Sequence, residues 1–281
     1  MAKILSGKEM SEQLIQEQAV RVAQLHEQGI FPGLAVVLVG EDPASQIYVR
    51  NKGIACEKIG IHSQTIRMAE DCSQEELLDT IQKLNNDPKI SGILVQLPLP
   101  KHLNEEEVLS TILPEKDVDG FHLMNVGKLS TGQTGVVPCT PKGVLYMLKQ
   151  AGIDLKGKEA VIIGRSNIVG KPAATLLLNE HCTVTICHSR TQNLAEHTRR
   201  ADILVAAIGK PNFVTADMVK PGAVVIDVGI NRLDGKVVGD VAYEDVEKVA
   251  GWITPVPGGV GKMTISMLME NTLEAACAQA R

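Results

Sequence analysis

The residues from Glu159 to Pro172, E-A-V-I-I-G-R-S-N-I-V-G-K-P, restrict the fold of this chain more than any other stretch. Ala160, Val161, Ile162 and Ile163 form an apolar run without polar alternation, the pattern of a strand buried on both faces. Gly164 ends the run, a polar turn follows, and Gly170-Lys171-Pro172 leads into the helical run Ala173-Ala174-Thr175-Leu176-Leu177-Leu178. Strand, glycine turn and helix N-terminus in this order make a place for an anion, because free N–H groups and the helix dipole both point at the turn.

The turn resembles the pyrophosphate-binding turn of a Rossmann unit in altered form. The usual G-x-G-x-x-G becomes G-x-S-x-x-x-G, with Ser166 in the second glycine position and one extra residue. An ordinary strand–helix connection can have the same spacing, so the neighbours must decide. In a Rossmann unit the next strand ends beside the adenosine ribose, where a carboxylate would bind the 2′-hydroxyl and repel a 2′-phosphate. Here that strand ends Cys187-His188-Ser189-Arg190-Thr191, about the expected distance beyond Gly164, and no acid is present. Arg165, Ser189 and Arg190 suit a dianionic phosphate; the competing reading is a polar strand end facing solvent. NADP is favoured over NAD. Gly209-Lys210-Pro211 and Gly229-Ile230-Asn231 follow two further strands, with glycines small enough to lie close to a nicotinamide. Thr254-Pro255-Val256-Pro257-Gly258-Gly259-Val260-Gly261-Lys262-Met263-Thr264 then reads as a rigid loop able to approach a flat ligand.

Strand-like and helix-like segments alternate almost throughout, which predicts an α/β fold with mainly parallel sheets. Ser6 and Glu9 form a capping box for a first helix whose stripe is Met10, Leu14, Ala19, Val22 and Leu25, ended by Gly29. Strands are expected at Leu34–Val39, His62–Met68 and Gly92–Leu97, the last cut off by Pro98 and Pro100. Helices are expected over Ala44–Ile59, from the Ser73/Glu76 capping box to Asn86, and from about Asn104. The segment between Gly120 and Pro138 reads as a polar connection, and Thr140-Pro141 as an N-cap opening a helix to Gly152. Later strands are expected at Thr183–Cys187, Ile203–Ala207, Ala223–Val228 and Trp252–Thr254, with a final helix over about Thr264–Ala278. The expected organisation is an N-terminal α/β domain over residues 1–139, a Rossmann-like NADP-binding domain over 140–264 with a cleft between the two, and a last helix, 265–281, folding back onto the first domain.

In a chain of 281 residues with a net charge of −5, a nucleic-acid role, which needs a basic face to neutralise phosphates, is not expected. No apolar run is long enough to span a bilayer and no signal-peptide pattern begins the chain, so no membrane role and a cytoplasmic location are expected. The six cysteines show no C-x-x-C pair, which favours reduced thiols over disulfides or a metal site.

Tyr48 and Lys52 lie four apart on one helix face. Either can serve proton transfer, since a lysine facing a cationic ring loses its proton more easily; a plain surface pair has the same spacing. Short-chain dehydrogenases carry Tyr-x-x-x-Lys after their glycine turn, whereas Tyr48 precedes Gly164, so the order excludes that class. Gln96 can point an amide at a ligand, and Asp119 either accepts paired hydrogen bonds from a guanidine-like ring edge or forms a turn.

In order along the chain, Tyr48-Val49-x-x-Lys52, Gly92-Ile93-Leu94-Val95-Gln96-Leu97-Pro98-Leu99-Pro100, Lys116-Asp117-Val118-Asp119-Gly120-Phe121, Pro138-Cys139-Thr140-Pro141, Gly164-Arg165-Ser166-x-Ile168-Val169-Gly170, Asp227-Val228-Gly229-Ile230-Asn231 and Pro255-Val256-Pro257-Gly258-Gly259-Val260-Gly261 are similar to the motifs of the bifunctional methylenetetrahydrofolate dehydrogenase/cyclohydrolase family. The resemblance implies oxidation of 5,10-methylenetetrahydrofolate to the methenyl cation with NADP, then hydrolysis to 10-formyltetrahydrofolate. It implies Lys52 as the key catalytic residue, Tyr48 and Gln96 tuning it, and Asp119 holding the pterin edge. It further implies Gly164, Arg165, Ser166, Ser189 and Ile230 on NADP, and Leu97, Pro257, Gly258, Gly259 and Val260 bordering the folate. A homodimer acting in one-carbon metabolism and purine biosynthesis is implied as well. Two positions depart from the family pattern: Ile54 stands where a second basic residue is common, and Lys262 where proline is usual, which would loosen the loop before the last helix. The competing enzyme class is a two-domain NADP dehydrogenase of the shikimate or amino-acid type.

Overall fold

The apolar runs become strands and the capped runs become helices, in the order their pattern sets. The structure, a computed structural model, describes residues 1–280. The chain runs β1 (Lys3–Ile4), α1 (Gly7–Glu27), β2 (Gly33–Val39), α2 (Pro43–Ile59), β3 (His62–Met68), α3 (Gln74–Asn86), β4 (Gly92–Val95), α4 (Glu105–Thr111) and α5 (Leu123–Ser130). It continues with α6 (Cys139–Gln150), β5 (Glu159–Ile163), α7 (Gly170–Asn179), β6 (Thr183–Cys187), α8 (Leu194–Thr198), β7 (Ile203–Ala206) and β8 (Val224–Asp227). After these come β9 (Asn231–Leu233), β10 (Lys236–Val238), α9 (Tyr243–Val246), β11 (Trp252–Ile253) and α10 (Val260–Gln279). Two units result, one of Met1–Ser11 and Thr140–Thr264, the other of Glu12–Cys139 and the chain from Ile265 onward.

The unit of Glu12–Cys139 holds a parallel sheet in the order β3-β2-β4. Every residue of the central strand β2 is buried, as its unbroken apolar run requires, while the edge strand β3 stays largely open to solvent. On one face Ala35, Val37, Val39, Ile93 and Val95 pack with Leu77, Ile81 and Leu84 of α3. Those three helical residues recur at i, i+4 and i+7, the stripe of an amphipathic helix. The capping box that starts α3 is complete: Ser73 Oγ accepts from Glu76 N at 3.2 Å, and Glu76 Oε2 accepts from Ser73 N at 2.8 Å.

The other unit holds a six-stranded parallel sheet in the order β1-β11-β8-β7-β5-β6. Val161, Ile163, Leu204, Ala206 and Val225 form its core on one face. From β5 the chain first moves outward to β6 and then returns to the far side of β5 as β7, so a topological switch point lies between β5 and β7.

Four elements differ from the sequence expectation. Residues 1–11 group with residues 140–264 and not with the first domain, because β1 pairs in parallel with β11 and the Lys3 ammonium lies 5.0 Å over the Trp252 ring. The connection expected before Pro138 contains α5, capped by His122 Nδ1 accepting from Met124 N at 3.0 Å. Thr140 is no N-cap: α6 already includes Cys139, and the Thr140 hydroxyl instead pairs with that of Thr264 at 3.0 Å. Finally, α10 begins at Val260, which places Lys262 in its first turn, donating its N–H to Gly259 O at 3.1 Å, a bond proline could not make. The last-helix expectation also reached Arg281, which lies outside the described residues. No helix among the described residues is long and apolar enough to cross a membrane.

Candidate active site

In the three-stranded sheet the carboxyl ends of β2 and β4 form a switch point, since β3 and β4 flank β2 on opposite sides. α2 leaves the end of β2 behind an N-cap in which Asp42 Oδ2 accepts from Ser45 N at 2.7 Å and Pro43 takes the first helical position. This helix carries Lys52 towards Gln96, which follows β4. The Lys52 ammonium donates to Gln96 Oε1 at 2.9 Å, and Gln96 Nε2 donates to the Leu97 carbonyl at 2.7 Å. The two bonds fix the amide orientation, because the reverse would set two donors against each other.

Asp119 completes the group. Ile93 bridges to Asp117, and Ile93 N donates to Lys116 O at 2.7 Å, so the segment before Asp119 runs along the edge of β4. Asp117 accepts from Gly120 N at 3.1 Å, His122 N at 2.8 Å and Asn125 Nδ2 at 2.9 Å, which locks the turn on the other side. Val118 O accepts from Asn271 Nδ2 at 2.8 Å and from the Cys139 thiol at 3.4 Å; that thiol lies 3.8 Å from Asp119 Oδ1.

These neighbours set the charge states. Burial pulls the Lys52 pKa below its ordinary value, with the Asp119 carboxylate opposing. Burial pushes the Asp119 carboxyl up to about 6; Lys52 and the Cys139 thiol oppose the rise, and Asp117 adds to it. A lysine that surrenders its proton more readily, held by an amide beside a carboxyl of raised pKa, is equipped to pass a proton in either direction. Of the expected group, Lys52, Gln96, Leu97 and Asp119 come together. Tyr48 shares the helix and is 40% exposed, but no hydrogen bond joins it to Lys52 among the described residues. Ile54 points out, 52% exposed. Sequence reasoning missed Cys139 and Asn271: the first stood in a quoted motif without a role, and the second sits in the last helix with nothing local to mark it.

In the unit of residues 140–264, the switch point between β5 and β7 opens into a cavity of about 280 Å³. Gly164, Arg165, Ser189, Leu194, Lys210 and Phe213 are among its lining residues. Gly164 is required by close packing, since a Cβ there would sit 2.2 Å from Ala207 O. Arg165 and Ser189 are both exposed. Ser166 behaves otherwise than expected. Its hydroxyl accepts from Val169 N at 3.2 Å and Gly170 N at 3.3 Å, so two of the N–H groups read as free for an anion are capped from within.

Ile230 lies apart from this cavity, 51% exposed, with its Cδ1 against the place a Gly261 Cβ would take. That brings Ile230 to the Pro257–Gly261 segment. Within it Pro257 is exposed while Gly259 and Val260 are buried. Gly259 is explained by internal packing: a Cβ would fall 2.5 Å from Pro255 O, and its own carbonyl abuts Gly7.

A family model described as the catalytic domain of tetrahydrofolate dehydrogenase/cyclohydrolase matches residues 5–119, and one for the NAD(P)-binding domain of the same family matches residues 138–280. The "Bifunctional protein FolD" of Acetivibrio thermocellus is 58% identical over 281 residues, 100% of this chain and 99% of its own. Among solved structures, the bifunctional FolD methylenetetrahydrofolate dehydrogenase/cyclohydrolase of Campylobacter jejuni superposes with a TM-score of 0.98 at 51% identity, covering 99% of this chain and 100% of that one. The Trypanosoma brucei methylenetetrahydrofolate dehydrogenase-cyclohydrolase, complexed with NADP and an inhibitor, gives 0.95 at 38% identity over 100% and 99%. A shikimate dehydrogenase from Thermus thermophilus gives only 0.53 at 17% identity, over 87% of this chain and 99% of that one, a likeness of fold alone.

Proposed function

The chain belongs to the tetrahydrofolate dehydrogenase/cyclohydrolase family, and from that premise we propose that it carries out two successive reactions on one folate carbon. It oxidises 5,10-methylenetetrahydrofolate to the 5,10-methenyl cation with NADP, and it then hydrolyses the cation to 10-formyltetrahydrofolate. The observation that carries the reading is the Lys52–Gln96 pair beside Asp119, in a chain matched by its family along nearly its whole length.

Bound NADP supplies the hydride acceptor for the first step. The residues present fit it: the cavity joins apolar walls from Leu194 and Phe213 to the Arg165 guanidinium and the Ser189 hydroxyl, a combination suited to an adenosine bearing a 2′-phosphate. Ser166 and Gly164 shape that turn, and Ile230 takes the cofactor farther along the sheet. In the hydrolytic step water adds to the methenyl carbon, the carbon–nitrogen bond to N5 breaks, and one proton is released overall. Lys52, as the neutral amine, accepts a proton from the attacking water and returns one to N5 during ring opening, while Gln96 holds its nitrogen in place and Tyr48 borders the reacting carbon. Asp119 accepts the paired N–H donors of the pterin edge. Leu97, Pro257, Gly258, Gly259 and Val260 border the folate. The formyl product suits the formyl transfers of purine biosynthesis.

Six thiols without a disulfide among them, all but Cys277 buried, support a reducing, cytoplasmic location. The edge strand β6 exposes Ile186 (39%) and α7 exposes Leu178 (58%), which supports a homodimer formed by covering that edge. The shikimate-type alternative shares the fold but lacks support at the site, where the run Val95–Pro100 follows the folate family. One coupled assay tests the reading: NADPH formation from methylenetetrahydrofolate, followed by decay of the methenyl absorbance. Absence of an NADPH signal with this substrate rejects it.

A further inference from the structure

Asp240 has no part in the chemistry described so far, yet its carboxylate is fully buried and collects four hydrogen bonds. Oδ2 accepts from Ile208 N at 2.7 Å and Gly209 N at 3.0 Å. Oδ1 accepts from Lys210 N at 2.8 Å and from Asn231 Nδ2 at 2.9 Å. The three backbone donors are consecutive and belong to the loop that leaves β7, whose Ile208 and Lys210 line the 280 Å³ cavity with Gly164, Arg165 and Ser189. The fourth donor belongs to Asn231, which directly follows Ile230 and opens β9 just after the turn that leaves β8. One carboxylate therefore ties together the two loops at the carboxyl edge of the sheet that serve opposite parts of the cofactor site.

A second aspartate closes the arrangement. Asp227 Oδ1 accepts from Gly229 N and Asp240 N, each at 2.9 Å, and Oδ2 accepts from Val241 N at 2.9 Å. The two acids are fitted to each other through glycines. A Cβ on Gly229 would lie 2.4 Å from the Asp240 carboxyl carbon, and one on Gly239 would lie 1.8 Å from Asp227 Oδ2. Burying a carboxylate costs several kcal/mol even when it is well bonded, on the order of the whole gain from its partners. Every side-chain bond that offsets the cost at Asp240 goes to a loop bordering the cofactor site, and none goes to a core strand or helix.

We propose that Asp240 is a positioning residue of the dinucleotide site, fixing the Ile208–Lys210 backbone and the Asn231 side chain so that the cavity and Ile230 meet one cofactor as a single rigid surface. The inference rests on the NADP reading above. Asp240→Asn puts a donor where two donors already point, and Asn231→Ala removes one partner while sparing the three backbone bonds. The measurements are KM for NADP and kcat of the dehydrogenase, the cyclohydrolase rate on the methenyl substrate without cofactor, and the Tm of each variant. KM for NADP should rise about tenfold in Asp240→Asn, the size expected when one buried donor loses its acceptor, and about threefold in Asn231→Ala. kcat should change less than KM, the ratio of dehydrogenase to cyclohydrolase at limiting NADP should fall in step, and the double variant should lose little beyond Asp240→Asn. KM for NADP within twofold of the parent in folded Asp240→Asn, or in Asn231→Ala if the first variant does not fold, overturns the proposal. Equal proportional loss of both activities also overturns it. A parent chain that binds no NADP rejects the cofactor reading instead, and is seen before any variant is made.

Discussion

The two units solve the same topological problem and fill the result in opposite ways. In each, a central parallel strand has its next two strands on opposite sides, and the residues proposed to function gather where the loops part, β2 with β4 in one unit and β5 with β7 in the other. Around β2 the gap holds Lys52, Gln96 and Asp119, all half-buried, and burial moves both Lys52 and Asp119 away from their ordinary pKa values. Around β5 the gap stays open as a cavity, and the charged group at its mouth, Arg165, is exposed. Proton transfer near neutral pH needs desolvated groups, because water holds a lysine too firmly protonated. Gripping a phosphate needs the reverse, a cation that keeps its charge and can be reached. One topology serves both because the sheet decides where a site lies and the loops decide what it does.

The sharpest way to break this contrast is Lys52→Ala. If proton transfer belongs to the half-buried site around β2 and cofactor binding to the open one, cyclohydrolase activity should fall by roughly 10³-fold, within the range for loss of a general acid–base group, while NADP affinity changes less than twofold. Rates follow the methenyl absorbance and affinity comes from NADPH fluorescence titration. Unchanged hydrolysis would remove Lys52 from the mechanism.

Asp119→Asn is next in size. If Asp119 accepts the pterin donors as proposed, loss of its carboxylate should lower kcat/KM for the folate by about 30-fold, the scale of one charged hydrogen bond of ~2 kcal/mol. It carries a pH signature as well. Below about 6 the Asp119 carboxyl is protonated in the parent, so kcat/KM should rise with pH through that value, and the asparagine variant should lack this limb. The stability sign runs the other way. The folded state holds this proton more tightly than the unfolded chain, so the stability Asp119 contributes is full below about 4 and is lost as pH rises through about 6. Urea midpoints should therefore fall less between pH 5 and 8 in the variant than in the parent. Part of the fall that remains belongs to Asp227, whose carboxyl burial also pushes up to about 6, and part to Asp117, whose carboxyl burial also raises.

Arg165→Ala probes the open site. It should weaken NADP about tenfold, as expected for a charge-assisted bond to phosphate, and NAD hardly at all. Equal losses for the two cofactors would contradict the 2′-phosphate role and move the contrast between the units onto other residues.

Most of the sheets was legible because their central strands are unbroken apolar runs: Leu34–Val39 and Ala160–Ile163 can only be buried on both faces. What escaped is short or depends on distant partners. β1 has two residues, one of them, Ile4, 58% exposed, and only its pairing with β11 makes it a strand. The hairpin β9–β10 turns at Asp234-Gly235, both with positive φ, a recognised hairpin signal whose flanking strands are too brief and exposed to show alternation. Within the site, Lys52 and Tyr48 were found together by helical spacing, but the actual partner of Lys52 is Gln96, 44 residues away. No local pattern reports that distance; only the sheet order, which carries β4 beside β2, brings the amide to the ammonium.

The smallest effect falls on the residue where the two kinds of site come nearest to each other in kind. Ser166 stands in the open unit, yet its hydroxyl already serves Val169 N and Gly170 N, the donors a pyrophosphate would use at an uncapped helix. Ser166→Ala removes that cap and should cost about 1 kcal/mol of stability, read as a lower urea midpoint with an unchanged slope. Its effect on NADP then separates two arrangements. If the hydroxyl touches the cofactor, affinity falls along with stability. If the cofactor instead competes with the hydroxyl for the helix, freeing the two N–H groups leaves affinity unchanged or raises it. This turn carries serine where the usual dinucleotide turn carries glycine, and a self-capped helix has fewer donors left for the pyrophosphate. If the cofactor is held as proposed, by Arg165, Ser189 and the loops that Asp240 ties down, affinity in Ser166→Ala should stay within twofold of the parent. A loss beyond tenfold would return the pyrophosphate to the helix N-terminus and make the two switch points differ less than their packing suggests.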